Sequence, residues 1–233
     1  MNTERPTLAY AISRVLIACC LWMLVLFLAS AAMMTFTTMQ PGMPWLSGLV
    51  IQAGILVFSL ALIMILGRGN FSRFGFVSPK ASFLKPILIW GIALGLATGL
   101  AEALFGGGEN PATADLTFLQ IVLIVWIWAS TCEEVLYRGL LQSYLDPLRE
   151  RGVNLFGVRL SLPVTVGAVL FSVMHLMLLT AGMAPAGVIP ILIFALLLGG
   201  VAGYFREKTG SLLPAILVHF LGNVAGTLVG YIM

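Results

Sequence analysis

Leu46–Leu66 reads LSGLVIQAGILVFSLALIMIL, an apolar run without a single charged residue. A bilayer's hydrocarbon core takes about 20 such residues as a helix. Working outward, similar runs fall at Val15–Thr37, Pro86–Phe105, Leu116–Tyr144, Leu162–Ala181, Gly187–Tyr204 and Leu212–Met233. Only helices and closed barrels can span lipid, because their backbone groups bond internally. These runs are too long and continuous for the alternating strands of a barrel. The expectation is an all-α, polytopic bundle of about seven transmembrane helices.

The composition points the same way. Of 233 residues, 60% are hydrophobic and 9% charged, where a soluble domain carries about 25% charged residues. Such a chain cannot clothe a soluble globule, does not read as disordered, and lacks the basic face a nucleic acid would need. Cys19, Cys20 and Cys132 lie in apolar stretches and read as inert thiols rather than a disulfide framework. The first run is longer than a signal-peptide core and reads as a retained helix. No soluble domain fits between the runs. The chain divides into motif-free helices over residues 1–115 and a motif-bearing part over 116–233, within one integral membrane domain.

Lys and Arg sit on alternate loops. Arg5 and Arg14 precede the first run; Arg68, Arg73, Lys80 and Lys85 follow the second. Arg149, Arg151 and Arg159 follow the fourth, and Arg206 and Lys208 the sixth. The other loops hold none, and the third holds Glu109 and Asp115. Positive loops face the cytoplasm, so the N-terminus is expected inside and the C-terminus outside. Rows of glycine, Gly91/Gly95/Gly99 and Gly222/Gly226/Gly230, mark helices that approach closely.

Four charges remain inside apolar runs: Glu102, Glu133, Glu134 and Arg138. Glu102 stands near the outer end of the third helix, within reach of water. The other three fall within six residues of the fourth, where each charge at mid-bilayer costs about 2.5–3.5 kcal/mol on insertion scales. Glu134 and Arg138 are i,i+4 neighbours that can pair. Glu133 points about 100° away, with no basic residue at i+3 or i+4. One carboxylate therefore reads as structural and the other as free for chemistry, against the plainer reading of one ion-pair network that fixes packing.

The two histidines, His175 and His219, both lie in apolar helices. Asn223 is i+4 from His219, and Phe171 is i−4 from His175, where it can pack on the imidazole. In a low-dielectric cavity, a Glu and a His sharing one water could deprotonate it for attack on a carbonyl. A second His and an Asn could then donate to the oxyanion. Ser130, Ser172 and Cys132 are weaker as nucleophiles, having no evident sequence partner. Zinc on Glu133, His175 and His219 has acceptable ligand types, but no His-Glu-x-x-His motif is present, so no cofactor is expected. Counted at ~1.5 Å per residue from the basic helix ends, Glu133 and His219 lie some 12–17 Å deep and His175 ~20 Å.

Glu133-Glu134-x-x-x-Arg138, Phe171-x-x-x-His175 and His219-x-x-x-Asn223 together closely resemble the CPBP (Abi) intramembrane protease family, which includes the type II CAAX prenyl endopeptidases. The resemblance covers about Leu116 to Met233. It implies that Glu133 activates water with His175, that His219 and Asn223 form the oxyanion hole, and that Glu134 and Arg138 support them without catalytic metal. The short length and compact loops read as an integral, multi-pass protein of a prokaryotic plasma membrane, and the residue depths place the site where it is reached from the cytoplasmic side. Its partners would be the bilayer and a membrane-associated or lipidated peptide cut near its C-terminus. Family roles range from CAAX processing to bacteriocin maturation and immunity. The competing readings are a non-cleaving immunity or scaffold protein, and a small proton-coupled transporter, since intramembrane Glu and His also mark proton relays.

Overall fold

A computed structural model describes residues 6–40, 43, 45–79, 83–105, 110–111, 113–155 and 157–233. Arg5, Lys80 and Glu109, used above in reading the topology, lie outside them. Seven helices among the described residues are long and apolar enough to cross a membrane: α1 Leu8–Met39, α2 Leu46–Gly67, α3 Leu84–Phe105, α4 Phe118–Leu148, α5 Leu162–Thr180, α6 Pro185–Thr209 and α7 Leu213–Ile232. The protein is an all-α membrane bundle.

The helices overrun the apolar runs. Arg14 and Lys85 lie inside α1 and α3, and Arg206 and Lys208 occupy the last turn of α6, not a tail or loops. Long basic side chains reach polar surroundings from a helix end, so the backbone need not leave the helix when charges begin. Thr7 opens α1, its hydroxyl accepting from the Tyr10 N–H at 3.3 Å. Gly210, at φ +73°, closes α6 in a left-handed conformation open to glycine.

Basic residues gather at one end of the bundle. The Arg14 guanidinium lies 4.1 Å from the centre of the Tyr144 ring and donates to the Tyr144 carbonyl. Arg149 pairs with Glu207 at 3.2 Å, and Arg151 donates to the Pro6 carbonyl. The start of α1, the segment after α4 and the end of α6 therefore meet.

One connection between the helices carries a short ribbon. Between α4 and α5 the chain forms an antiparallel hairpin, β1 Gly152–Leu155 and β2 Val158–Ser161, with Val153 opposite Leu160 and Leu155 opposite Val158. Apolar residues alternate with polar ones on both strands, the period-2 pattern of a ribbon, and Gly157 takes φ +78° in the turn.

Two helices depart from regularity where they carry motifs. Within α4, wide i→i+5 turns over Ile121–Ala129 and Val135–Leu141 flank an α-helical stretch, Ser130–Glu134. Such turns are rare and cluster at functional sites. In α5 the regular helix stops at Met174; His175 lies in a turn before Met177–Thr180.

The glycine rows form a seam inside the bundle. A Cβ added at Gly91 would meet the Val218 carbonyl at 3.0 Å, and one at Gly99 the Gly226 carbonyl at 2.6 Å. Gly95 faces Gly222 in the same way. Helices α3 and α7 are thus in backbone contact, as small-residue rows permit. Gly230, the last of the α7 row, faces open space.

Candidate active site

The fourth helix carries its charges inward. Glu133, Glu134 and Arg138 are 7%, 0% and 1% exposed. Burial on this scale needs compensation, because a charge removed from water keeps a penalty of several kcal/mol unless it is paired. Arg138 donates to Glu134 Oε1 at 2.8 Å. The same oxygen accepts from His219 Nδ1 at 3.0 Å, reaching across from α7. Glu133 has no such cation. Its Oε2 stands 3.9 Å from His219 Nε2, too long for a hydrogen bond but close enough for one water to touch both.

These contacts fix the imidazole protons. Glu134, paired with Arg138, is an acceptor, so His219 Nδ1 carries hydrogen. Neutral His219 would then present a bare Nε2 toward Glu133; the imidazolium would donate from both nitrogens. In His175, Nδ1 lies 2.9 Å from the Phe171 carbonyl. A carbonyl only accepts, so Nδ1 is the donor and the neutral ring keeps Nε2 free as a base.

Phe171 joins the parts. It is 1% exposed, and its ring meets His175 and His219 edge-on at 5.1 and 5.4 Å between centroids. Arg138 lies 5.0 Å from its centre and Tyr137 packs at 5.0 Å. Tyr137 is anchored in turn: Trp22 Nε1 donates to its hydroxyl at 2.9 Å. Asn223 donates from Nδ2 to the Val125 carbonyl at 3.2 Å and to Ser130 Oγ at 3.0 Å. Glu133, Glu134, Arg138, Phe171, His175, His219 and Asn223 thus come from three helices into one linked cluster. Glu102 stands exposed on α3 and shares no hydrogen bond or ion pair with it.

Residues 115–225 match the family model described as type II CAAX prenyl endopeptidase Rce1-like. Over this stretch, a little under half of its length, the chain is similar to that family. It is an integral, multi-pass membrane protein of a protease family. Searches among curated proteins and among solved structures returned no match.

The Rce1-like region is not the whole of the site. Gln52, on α2 and outside the matched residues, donates from Nε2 to Glu133 Oε1 at 2.6 Å. The sequence reading passed over it because α2 carries no motif; its one signal is an amide in an otherwise apolar run. Other residues weighed as nucleophiles are engaged elsewhere. The Ser172 hydroxyl donates to the Leu192 carbonyl at 2.8 Å, and Cys132 is fully buried in the core. Among the described residues, no group of three His, Cys, Asp or Glu side chains is arranged to hold a metal ion. A half-open apolar groove of about 470 Å³ runs between α3 and α6, lined by Leu94, Ala97, Ala101, Pro190 and Phe194. The Phe194 ring also borders Gly222, three residues beyond His219.

Proposed function

We propose that this protein is an intramembrane endopeptidase in which Glu133 and His175 activate a water molecule for direct attack on a peptide carbonyl. The observation that carries this reading is the asymmetry of the two carboxylates. Glu134 is neutralised by Arg138 at 2.8 Å, whereas Glu133 faces His219 Nε2 across 3.9 Å with no cation bonded to it. A base must have a free lone pair within reach of the proton it takes, and Glu133 Oε2 meets that requirement.

In this mechanism the water lies between Glu133 and His175 Nε2, and Glu133 accepts a proton from it as the oxygen attacks the carbonyl carbon. The carbonyl π electrons move to oxygen, and the oxyanion is met by His219 Nε2–H and the Asn223 amide. Donation from Nε2 requires the His219 imidazolium, because Nδ1–H is already committed to Glu134. Asn223 yields its bond to Ser130 Oγ, a neutral acceptor, to the oxyanion. The proton on Glu133 passes to the amine as the C–N bond breaks.

The substrate is a membrane-associated or lipidated peptide cut near its C-terminus, and the groove between α3 and α6 suits the hydrocarbon chain of such a substrate. The site is entered from the cytoplasmic side, by the Lys/Arg bias of the loops. Comparative mass spectrometry of membrane peptides from cells carrying wild type or Glu133→Gln tests the reading. New C-termini should arise with wild type alone. The same termini in Glu133→Gln membranes would overturn it.

A further inference from the structure

We infer that Gln52 is a positioning residue that holds Glu133 and the attacking water in register, an assignment that rests on Glu133 being the base. Gln52 stands on α2 and reaches Glu133 Oε1 at 2.6 Å. An ionised carboxylate only accepts hydrogen bonds. The amide orientation is therefore fixed, with NH₂ toward Glu133 and the carbonyl oxygen turned away. That carbonyl oxygen, Oε1, is buried and has no hydrogen-bond partner. A buried acceptor without a donor is destabilising, and Leu or Met in the same place would avoid the cost. The amide stands there for the bond that its NH₂ gives to Glu133.

Gln52 occupies one oxygen of Glu133 and leaves Oε2, the one facing His219, for the water. Water brings two hydrogens. The first bonds to Glu133 Oε2 and is the proton transferred. The second stays on oxygen through the attack and needs an acceptor in a site walled by Phe171 and Tyr137. His175 Nε2, which shares the water with Glu133 in the proposed mechanism, is that acceptor. The Gln52 amide fixes the torsion of the Glu133 carboxylate, and through it the place of the water between Glu133 and His175, leaving the oxygen lone pair free to attack. The bond changes are unaltered: one O–H bond breaks to Glu133, and one C–O bond forms as the carbonyl π bond breaks.

The test uses the full chain in liposomes with an internally quenched, farnesylated peptide ending in a CAAX sequence. Gln52→Met keeps the length and removes both amide atoms. Its kcat should fall about 100-fold, the size expected when a reacting group loses its alignment by ~1 Å. KM should stay close to the wild-type value, and the solvent deuterium isotope effect on kcat should change. The melting temperature should change little, since the unpaired Gln52 oxygen goes while Glu133 Oε1 loses its donor. Gln52→Asn, which retains the amide on a shorter stem, should recover part of the loss. Turnover per folded Gln52→Met enzyme equal to wild type, or an effect on KM alone, would overturn the assignment. If wild type and Glu133→Gln behave alike on the peptide, the parent reading falls too. If Glu133→Gln is inactive while Gln52→Met is not, only Gln52 loses its role.

Discussion

Gly95→Ala adds one methyl group to a helix without any motif, and it should disable the site. The new Cβ would lie 2.7 Å from the Ala225 Cβ and 3.0 Å from the Gly222 carbonyl carbon. Carbon atoms pack at about 3.5–4.0 Å, so α3 and α7 must part by about 1 Å. Neither obstacle is the end of a flexible side chain that could swing aside. Gly222 lies three residues beyond His219, so the displacement carries His219 away from Glu133 and Glu134. A shift of ~1 Å at reacting groups costs about 100-fold in rate. Stability should change less. Overpacking costs about 1–3 kcal/mol, and replacing a helical Gly by Ala returns up to ~1 kcal/mol. The assay is turnover per folded molecule in liposomes, with Glu133→Gln as the zero and Gly230→Ala as the control. A Cβ at Gly230 meets nothing within 4 Å, so that variant should cleave as wild type does. Full turnover by Gly95→Ala, or equal losses at both glycines, would refute the reasoning.

Two further perturbations separate the ion pair from the oxyanion donors. Arg138→Met leaves Glu134 buried with only His219 beside it and should lower stability by about 3–5 kcal/mol, read as thermal unfolding by tryptophan fluorescence in detergent. The double variant Glu134→Gln/Arg138→Met should recover most of that loss, and an unshifted Arg138→Met melt would contradict the pairing. Asn223→Ala should reduce kcat by about 10²–10³-fold, as loss of one oxyanion donor does. Ser130→Ala should change it far less, because Ser130 only receives the Asn223 bond before reaction. A larger effect at Ser130 would remove Asn223 from that role.

The architecture was legible because hydropathy speaks directly to the requirement that every backbone group in lipid be bonded internally. Each apolar run has its helix, from Leu46–Gly67 to Leu213–Ile232. Helix ends were not legible in the same way. Arg14, Arg206 and Lys208 interrupt hydropathy without interrupting hydrogen bonding, so the apolar count stopped short. The hairpin at Gly152–Ser161 escaped because its alternation is brief and sits among arginines that read as loop. Within the site, Glu134 and Arg138 are four residues apart on one helix and their 2.8 Å pairing follows from local geometry. Links between helices do not. Nothing in the spacing of Gln52 and Glu133, 81 residues apart, reports their hydrogen bond. Nor does it report that His175 lies in a turn, where helix α5 breaks.

The glycine seam also sets an order of events. His219 and Asn223 sit on α7, which follows the other six helices in the chain, while the helix α7 leans on, α3, precedes the Glu133 helix. During synthesis α3 must wait in the bilayer, its groove of bare backbone unfilled, until α7 is delivered. Over that interval Glu133 has no His219 opposite it. A nascent chain therefore carries an unfinished set of groups, and the helix that completes the bundle is the same one that would arm the proposed site.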